Sequence, residues 1–484
     1  MTTKPINQYF PELASELRIS GIQLDSRLVQ PGDLFVAVKG AKLDGMSFVA
    51  DAERKGAVAV LTNSDSQAAS DLPVIQVQQN FTQVLSRLAA DFYDQPSQQV
   101  FVLAVTGTNG KTSTCQFIAQ IFDLLHQRSA YIGTNGQGIW PELAPVDNTT
   151  LDIVRNQQVL KHFVAGGARY CAMEVSSHGL DQQRVKGITF GCAVFTNLTR
   201  DHLDYHLTLD AYGEAKKKLF TDYGIKKAVI NFDEALGQEI LKLGHLNSLS
   251  YSLLDHQADL YVSDIEFQAH GLSFKLHFQG QQYAVQAGLL GRFNIANLLA
   301  AVGAVMQAGY TLQDIVSVLP RLTPVKGRME AVAESLQKAV SIDYAHTPDA
   351  LEKALLAMRD HCNGQLWVVF GCGGDRDKGK RPLMAQVAEQ LADRIVVTDD
   401  NPRTELSADI MADIRTGFSN ETDNRVTFIG NRKQAIRHAL DGAKAGDSIL
   451  IAGKGHEDYQ IIGTTKSHFS DYEVVVEALS EVRP

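Results

Sequence analysis

The apolar positions of residues 1–92 fall in short runs, "GDLFVAV" and "GAVAVLT", cut by turn formers such as "QPGD". Runs of that length between turns predict the strands of a small α/β unit. "YDQPSQQ", Tyr93–Gln99, is polar and proline-bearing and reads as a linker. A different rhythm starts at Val100. "QVFVLAV" is an apolar, β-branched run of buried-strand length, and "KTSTCQFIAQIFDLLHQ" places Phe117, Ile118, Ile121, Leu124 and Leu125 at helical spacing. A buried strand, a glycine loop and a helix open a βαβ unit with a parallel sheet. The same rhythm runs through "ARYCAMEV", "CAVFTNL" and "KKAVINF", then breaks at "LPRLTPVKGRME", Leu319–Glu330, rich in proline and turn formers. The alternation restarts with "KAVSIDY" before a helix from Pro348 and "QLWVVFG" before a helix from Pro382, followed by "RIVVTDD", "RVTFIGN" and "SILIAGKG". This pattern predicts an α/β protein of three domains: a small N-terminal unit (1–92), a central doubly wound domain with a parallel sheet (93–326) and a C-terminal Rossmann-like domain (327–484).

Length agrees, since 484 residues exceed what one core serves and suggest roughly three domains. Hydrophobic residues at 44% and charged ones at 21% are ordinary globular usage and indicate neither disorder nor collagen-like structure. The formal charge of -10 speaks against a nucleic-acid partner, so an anionic ligand has to be held by local arginines and lysines. Five scattered cysteines without a CxxC pair support neither a disulfide framework nor a zinc site, and fit a reducing compartment. The N-terminus lacks the apolar core of a signal peptide, and no apolar run approaches the roughly 20 residues of a spanning helix. The expectation is a soluble, cytoplasmic, monomeric protein without membrane insertion.

"VTGTNGKTST", Val105–Thr114, carries the first chemistry. Strand, glycine turn and helix place the backbone N–H groups of residues 107–112 at a helix N-terminus, where unpaired donors and partial positive charge suit phosphate oxygens. Gly107 and Gly110 permit a tight loop, Lys111 can reach the outer phosphates, and the Thr112 hydroxyl can ligate Mg²⁺. The usual P-loop pattern has a further glycine where Val105 stands, so the loop is a shorter form of an ATP site.

That shorter form, "TGTNGKT", resembles the loop of the Mur ligase family and its folylpolyglutamate synthetase relatives. Other motifs extend the resemblance over all three predicted domains: "DSRLVQPGDLFVAVKG" (Asp25–Gly40), "NTT" (Asn148–Thr150), "MEVSSHGLDQQRV" (Met173–Val185) and "FTNLTRDHLDYH" (Phe195–His206). "GRFNIAN" (Gly291–Asn297), "DYAHTPD" (Asp343–Asp349), "GCGGDRDKGKRP" (Gly371–Pro382), "DDNPRTE" (Asp399–Glu405) and "GKGHEDYQ" (Gly453–Gln460) follow in order. The resemblance implies a P-loop ATPase-like central domain and ATP-driven amide formation. A carboxylate takes the γ-phosphoryl group as an acyl phosphate, and an amine attacks it. Both steps build negative charge on oxygen, which calls for fixed cations and metal.

Within that resemblance, residues 107–113 (Gly107, Thr108, Asn109, Gly110, Lys111, Thr112, Ser113) bind ATP phosphates. Asn294 and Asn297 reach adenine, while Arg328 and Asp343 serve the nucleotide. Glu174, at a strand end, and His202, after the next strand, are metal ligands beside Thr112. Lys216 matches a lysine that CO₂ converts to a carbamate (N6-carboxylysine), while Lys217 and Lys218 read as a solvated helix face. Lys111, Glu174, His202 and Lys216 form the catalytic set.

The carboxylate substrate implied is UDP-MurNAc-L-Ala-D-Glu. Leu24 and Ser26 match its uridine contacts, and Asn148, Thr149, Thr150, Ser176, Gln182 and Arg184 match its muramoyl-dipeptide contacts. "DNPR", Asp400–Arg403 with Pro402 inside it, matches family members that add meso-diaminopimelate. Arg403 can clamp the far carboxylate of that amino acid through two parallel hydrogen bonds. Asp400, Asn401 and Glu457 can accept from its far ammonium, with Arg376 and Gly453 completing the pocket. The chain departs from the family at Lys326, where proline is common, at Met46, where histidine is, and at Ala41–Leu43. An L-lysine-adding homologue and a folylpolyglutamate synthetase-like ligase are the alternatives. A P-loop kinase or motor would leave the last domain without a task, and the Glu174, His202 and Lys216 set speaks against a nucleotide-regulated binding module.

Overall fold

The computed structural model describes residues 3–11, 17–40, 43–67, 70–268, 271–332, 338–420 and 424–481. Ala41 and Lys42, part of the departure noted above, lie outside these residues. Two compact units emerge: residues 1–107, 127–193 and 199–227 make one, and residues 108–126, 194–198 and 228–484 the other.

The first unit opens with a parallel four-stranded sheet in the order Gly21–Gln23, Asp33–Ala37, Ala59–Thr62, Val74–Gln76. Asp33–Ala37 is buried throughout because both faces are covered. Leu34 and Val36 join one core with Ile22, Leu61, Leu88 and Ile153, while Phe35 and Ala37 join another with Val49 and Val60. Met46, at the family's histidine position, fills the second core. A second set of strands follows. Tyr170–Glu174 runs parallel to both Phe101–Thr106 and Ser129–Gly133, and Gly136–Ile139 pairs antiparallel with Ser129–Gly133. Glu174 stands opposite Val105, so both sit at the C-terminal ends of their strands.

In the second unit, the helix Lys111–Leu124 packs on the helix Arg292–Gln307. Both are buried nearly all round; Arg292–Gln307 is mostly apolar to match, while Lys111–Leu124 also buries Thr112, Ser113, Thr114, Gln116 and Gln120. Leu260–Gln268, Gly271–Phe278 and Gln281–Ala287 form two antiparallel hairpins. A six-stranded sheet then runs in the order Glu330–Ala331, Ala339–Asp343, Ser448–Ala452, Leu366–Phe370, Arg394–Val397, Val426–Phe428, parallel except for its first strand. Val368 and Phe370 enter one core, Trp367 and Val369 the other. The helix expected from Pro382 begins at Lys380; proline is tolerated in a first turn because its missing N–H would have no helical partner there.

In this sheet the last strand in sequence, Ser448–Ala452, inserts between the first two parallel ones. Chain connections therefore diverge on either side of it, which opens a crevice at the strands' C-terminal ends. The segments leaving those ends are Asp343–Tyr344, Gly371–Arg376, Asp399–Arg403 and Gly453–Glu457.

Candidate active site

Gly110 caps the helix Lys111–Leu124 at φ +83°, a left-handed conformation that glycine adopts freely. A Cβ there would also collide with Asn297 Oδ1, so the loop and the asparagine are fitted to one another. Thr108 N donates to Asn197 O at 2.8 Å, and Asn109 N donates to Asn197 Oδ1 at 2.9 Å. Asn197 Nδ2 and Thr196 Oγ1 both donate to Asn109 O, at 3.1 and 2.7 Å. The N–H groups of residues 108 and 109 thus already donate within the protein, which narrows the row of phosphate donors expected across 107–112. Lys111 Nζ donates to Thr108 O at 2.8 Å, and Thr112 and Ser113 are buried in the first helical turn. Asn197 was not foreseen as a loop brace. Its only sequence signal is a position just past a strand end.

Asn297 Nδ2 donates to Asn294 Oδ1 at 3.1 Å, and Asn294 Nδ2 to Leu290 O at 2.8 Å, so this pair is oriented from within the helix Arg292–Gln307. Arg328 stacks over the Tyr344 ring at 4.9 Å, beside Asp343. Burial raises the Asp343 carboxyl, opposed by the Arg328 charge and a hydrogen bond from Met329 N. Burial, then the Arg328 and Lys326 charges, push the His456 imidazole down to about 4, so it is neutral at physiological pH.

In the first unit, Glu174 is fully buried. Tyr131 Oη and Thr134 N donate to its Oε1 at 2.6 and 2.9 Å, and Thr134 Oγ1 donates to Oε2 at 3.2 Å. A side chain at Gly133 would strike the Glu174 carboxylate, so the strand end has to be glycine. Thr150 Oγ1 bonds Glu174 O and Ser176 Oγ, at 3.1 and 3.0 Å. Arg184 Nη1 donates to Thr150 O at 3.1 Å, while its Nε and Nη2 hold Gln182 Oε1 at 2.9 and 2.6 Å. Thr134 Oγ1 lies 3.0 Å from Thr149 Oγ1. The structure therefore joins Glu174, Thr149, Thr150, Ser176, Gln182 and Arg184 in one network. Asn148 is exposed, and no hydrogen bond among the described residues ties it, Leu24 or Ser26 to that network; Ser26 Oγ donates to Asp51 instead, at 3.4 Å.

Lys216 is 1% exposed; its Nζ donates to Gly107 O at 2.8 Å and lies 4.1 Å above the Tyr212 ring. His202, at φ +53°, is half exposed and edge-on to His178 with ring centres 4.8 Å apart. His206 packs on His178 and Tyr212, its Nε2 3.0 Å from Ser177 Oγ. The carboxylate oxygens of Glu174 are of the kind a hard cation such as Mg²⁺ selects, and the Thr112 hydroxyl in the other unit is of the same hard-oxygen type. Among the described residues no three or more His, Cys, Asp or Glu side chains cluster as metal ligands.

The crevice of the six-stranded sheet gathers Asp400, Asn401, Arg403 and Glu457. Asn401 Nδ2 donates to Glu457 Oε2 at 3.0 Å. Arg403 sits at φ +52°, with its N bonded to Ile461 O at 3.1 Å and its Nη1 to Gly374 O at 2.9 Å. Asp400 Oδ1 is buried without a hydrogen bond. Pro402 is buried, Gly453 runs at φ +117° beside the Asp400 carboxylate, and Arg376 is exposed. Lys454, which sequence reasoning passed over, is wholly buried among them. No helix of the described residues is long and apolar enough to cross a membrane.

Three stretches of the chain match family descriptions: "Mur ligase family, catalytic domain" at residues 18–93, "Mur ligase middle domain" at 105–305, and "Mur ligase, glutamate ligase domain" at 327–455. The chain is 48% identical over 479 residues to the UDP-N-acetylmuramoyl-L-alanyl-D-glutamate--2,6-diaminopimelate ligase of Pseudomonas aeruginosa, with 98% of each covered. The ligase of that name from Haemophilus influenzae (strain PittEE) is 44% identical, covering 97% of this chain and 98% of the relative. A solved structure of such a ligase superposes with a TM-score of 0.72 at 38% identity, over 99% of both chains. Mycobacterium tuberculosis folylpolyglutamate synthase complexed with ADP shares the fold alone, with a TM-score of 0.62 at 18% identity over 77% of this chain and 92% of that one. The chain belongs to the Mur ligase family.

Proposed function

We propose that this chain is an ATP-dependent ligase that joins meso-diaminopimelate to UDP-MurNAc-L-Ala-D-Glu through an acyl phosphate, in peptidoglycan precursor synthesis. The names of the relatives that match over nearly the whole chain support the reading. The observation that carries it is the crevice at the sheet's switch point, where the buried Asp400, the half-buried Glu457, an amide and Arg403 converge. An amino acid bearing both an ammonium and a carboxylate at its far end meets complementary groups there.

In this reading the loop residues and Lys111 align the triphosphate, and Asn294, Asn297, Arg328 and Asp343 seat the nucleoside. Thr112, Glu174 and His202 are the residues that would hold Mg²⁺, which when bound supplies neutralising charge for phosphoryl transfer. Lys216 as a carbamate belongs to the same proposal, as do domain limits at 1–92, 93–326 and 327–484. Thr150, Ser176 and Arg184 orient the muramoyl-peptide, with Leu24 and Ser26 at the uridine end. Cytoplasmic location and a monomeric state complete the reading.

The test is ADP release with UDP-MurNAc-L-Ala-D-Glu, comparing meso-diaminopimelate with L-lysine. Release that requires the amino acid and strongly favours diaminopimelate supports the proposal. Equal use of lysine favours the lysine-adding alternative, and release without any amine acceptor contradicts ligation.

A further inference from the structure

Lys454 has no assigned part in the pocket, yet it is its electrostatic centre. Nζ donates to Asn401 Oδ1 at 3.0 Å and to Tyr459 O at 2.7 Å, and lies 3.4 Å from Asp400 Oδ1 and 3.7 Å from Glu457 Oε2. Ile461 N also donates to Asn401 Oδ1, at 3.0 Å. Two donors on that oxygen fix the orientation of the Asn401 amide, so its NH₂ has to face Glu457. Burial pushes the Lys454 ammonium down and the Glu457 carboxyl up, while Lys454 counters the Glu457 shift and the carboxylates counter the Lys454 shift. Arg432 adds no uncompensated charge, because Asp471 holds it through two hydrogen bonds of 2.7 Å.

Arg376 is exposed to water, and the charges at the heart of the pocket then balance: the buried Asp400 and half-buried Glu457 against the buried Lys454 and half-buried Arg403. The far end of diaminopimelate is neutral overall, one ammonium and one carboxylate, and leaves that balance intact. L-Lysine brings the ammonium alone. Without Lys454 the pocket would carry an excess negative charge, which an added ammonium would satisfy.

We propose that Lys454 is a positioning residue that sets amino-acid specificity, acting as an internal counter-ion that makes the pocket reject an amine lacking a far carboxylate. Specificity here comes from a group placed against the wrong substrate as well as from Arg403 placed for the right one. The proposal rests on the diaminopimelate reading given above.

Lys454→Met keeps the chain length and removes the charge. The ratio of kcat/KM for meso-diaminopimelate to that for L-lysine should fall by roughly tenfold or more. KM for ATP and for the UDP-linked substrate should hold. A structural defect that spares Arg403 lowers use of both amino acids together and leaves the ratio alone, and one that displaces Arg403 lowers the ratio but is not reversed by removing a second charge. Adding Asp400→Asn to Lys454→Met restores the charge balance and should return the ratio toward the wild-type value. If only the double variant folds, that too supports a neutralising role. An unmoved ratio in the single variant, no recovery in the double, or failure of both to fold overturns the proposal. A wild-type enzyme indifferent between the two amino acids would instead overturn the pocket reading on which it rests.

Discussion

In the loop at residues 108–112 most of the bracing groups are backbone amides and neutral side chains, with Asn197 and Thr196 bonding Asn109 at its N–H and its carbonyl, and Lys111 Nζ on Thr108 O and Asp349 on the Asn109 side-chain amide as the charged exceptions. In the pocket at 400–457 they are ionisable side chains, Asp400 and Lys454 buried and Glu457 half-buried, tied to one another through Lys454 and Asn401. The loop presents a helix end to whatever phosphate arrives and has no means of choosing between bases. The pocket desolvates its charges, which is costly unless each is matched, and so responds strongly to a ligand with one charge too many. Generic binding and selective binding are divided between two kinds of chemistry.

If that division holds, damage on either side should leave the other side's substrate untouched. Arg403→Ala should give the largest effect, lowering kcat/KM for meso-diaminopimelate by on the order of 10²–10⁴ with little change in KM for ATP. Steady-state kinetics with each substrate varied in turn would show it, and a matching rise in KM for ATP would break the comparison. Asn197→Ala comes next. It removes the Asn197 Oδ1 acceptor of the Asn109 N–H, at about 1–3 kcal/mol, and should weaken nucleotide binding several-fold while sparing the diaminopimelate to lysine ratio. Calorimetric titration with ADP and the same ratio assay check the two halves of that statement.

The smallest effect concerns His361, which supports neither site's chemistry directly. Gly291 N donates to its Nε2 at 3.0 Å while Nδ1 lies 2.6 Å from Gln268 O, so Nδ1 carries the proton and the ring is neutral. Burial lowers this imidazole below the ordinary 6.5, opposed by the hydrogen bond to Gln268 O and the Asp360 charge. Below that ordinary value the unfolded imidazole takes a proton that the folded one refuses, so stability falls as pH falls through this window. His361→Gln should cost about 1–2 kcal/mol at neutral pH and flatten the acid-side loss, read by denaturant melts at several pH values. An unchanged acid slope would show that other groups govern it.

The loop was legible because strand, glycine turn and helix are local patterns, and "VTGTNGKTST" states all three. The C-terminal sheet was legible for the same reason: its strands are continuous apolar runs between helices. The hairpins of Leu260–Ala287 were not anticipated; a register shift between Ser263 and Glu266 breaks the alternation that would have announced them. Asn197 and Lys454 were missed for another reason. Their roles depend on partners brought close by folding, and a lysine flanked by glycines in "GKGHE" gives no sign that it will be buried. Family resemblance supplied Asp400 and Glu457, but not the cation beside them.

The account stands most directly on one transfer, the passage of the terminal phosphoryl group of ATP to the carboxylate of the UDP-linked substrate. With that carboxylate labelled in heavy oxygen and meso-diaminopimelate supplied as acceptor, the released phosphate should carry one labelled oxygen for each amide formed. Phosphate that forms together with the amide yet carries no label would contradict an acyl phosphate, and with it the role given to the loop.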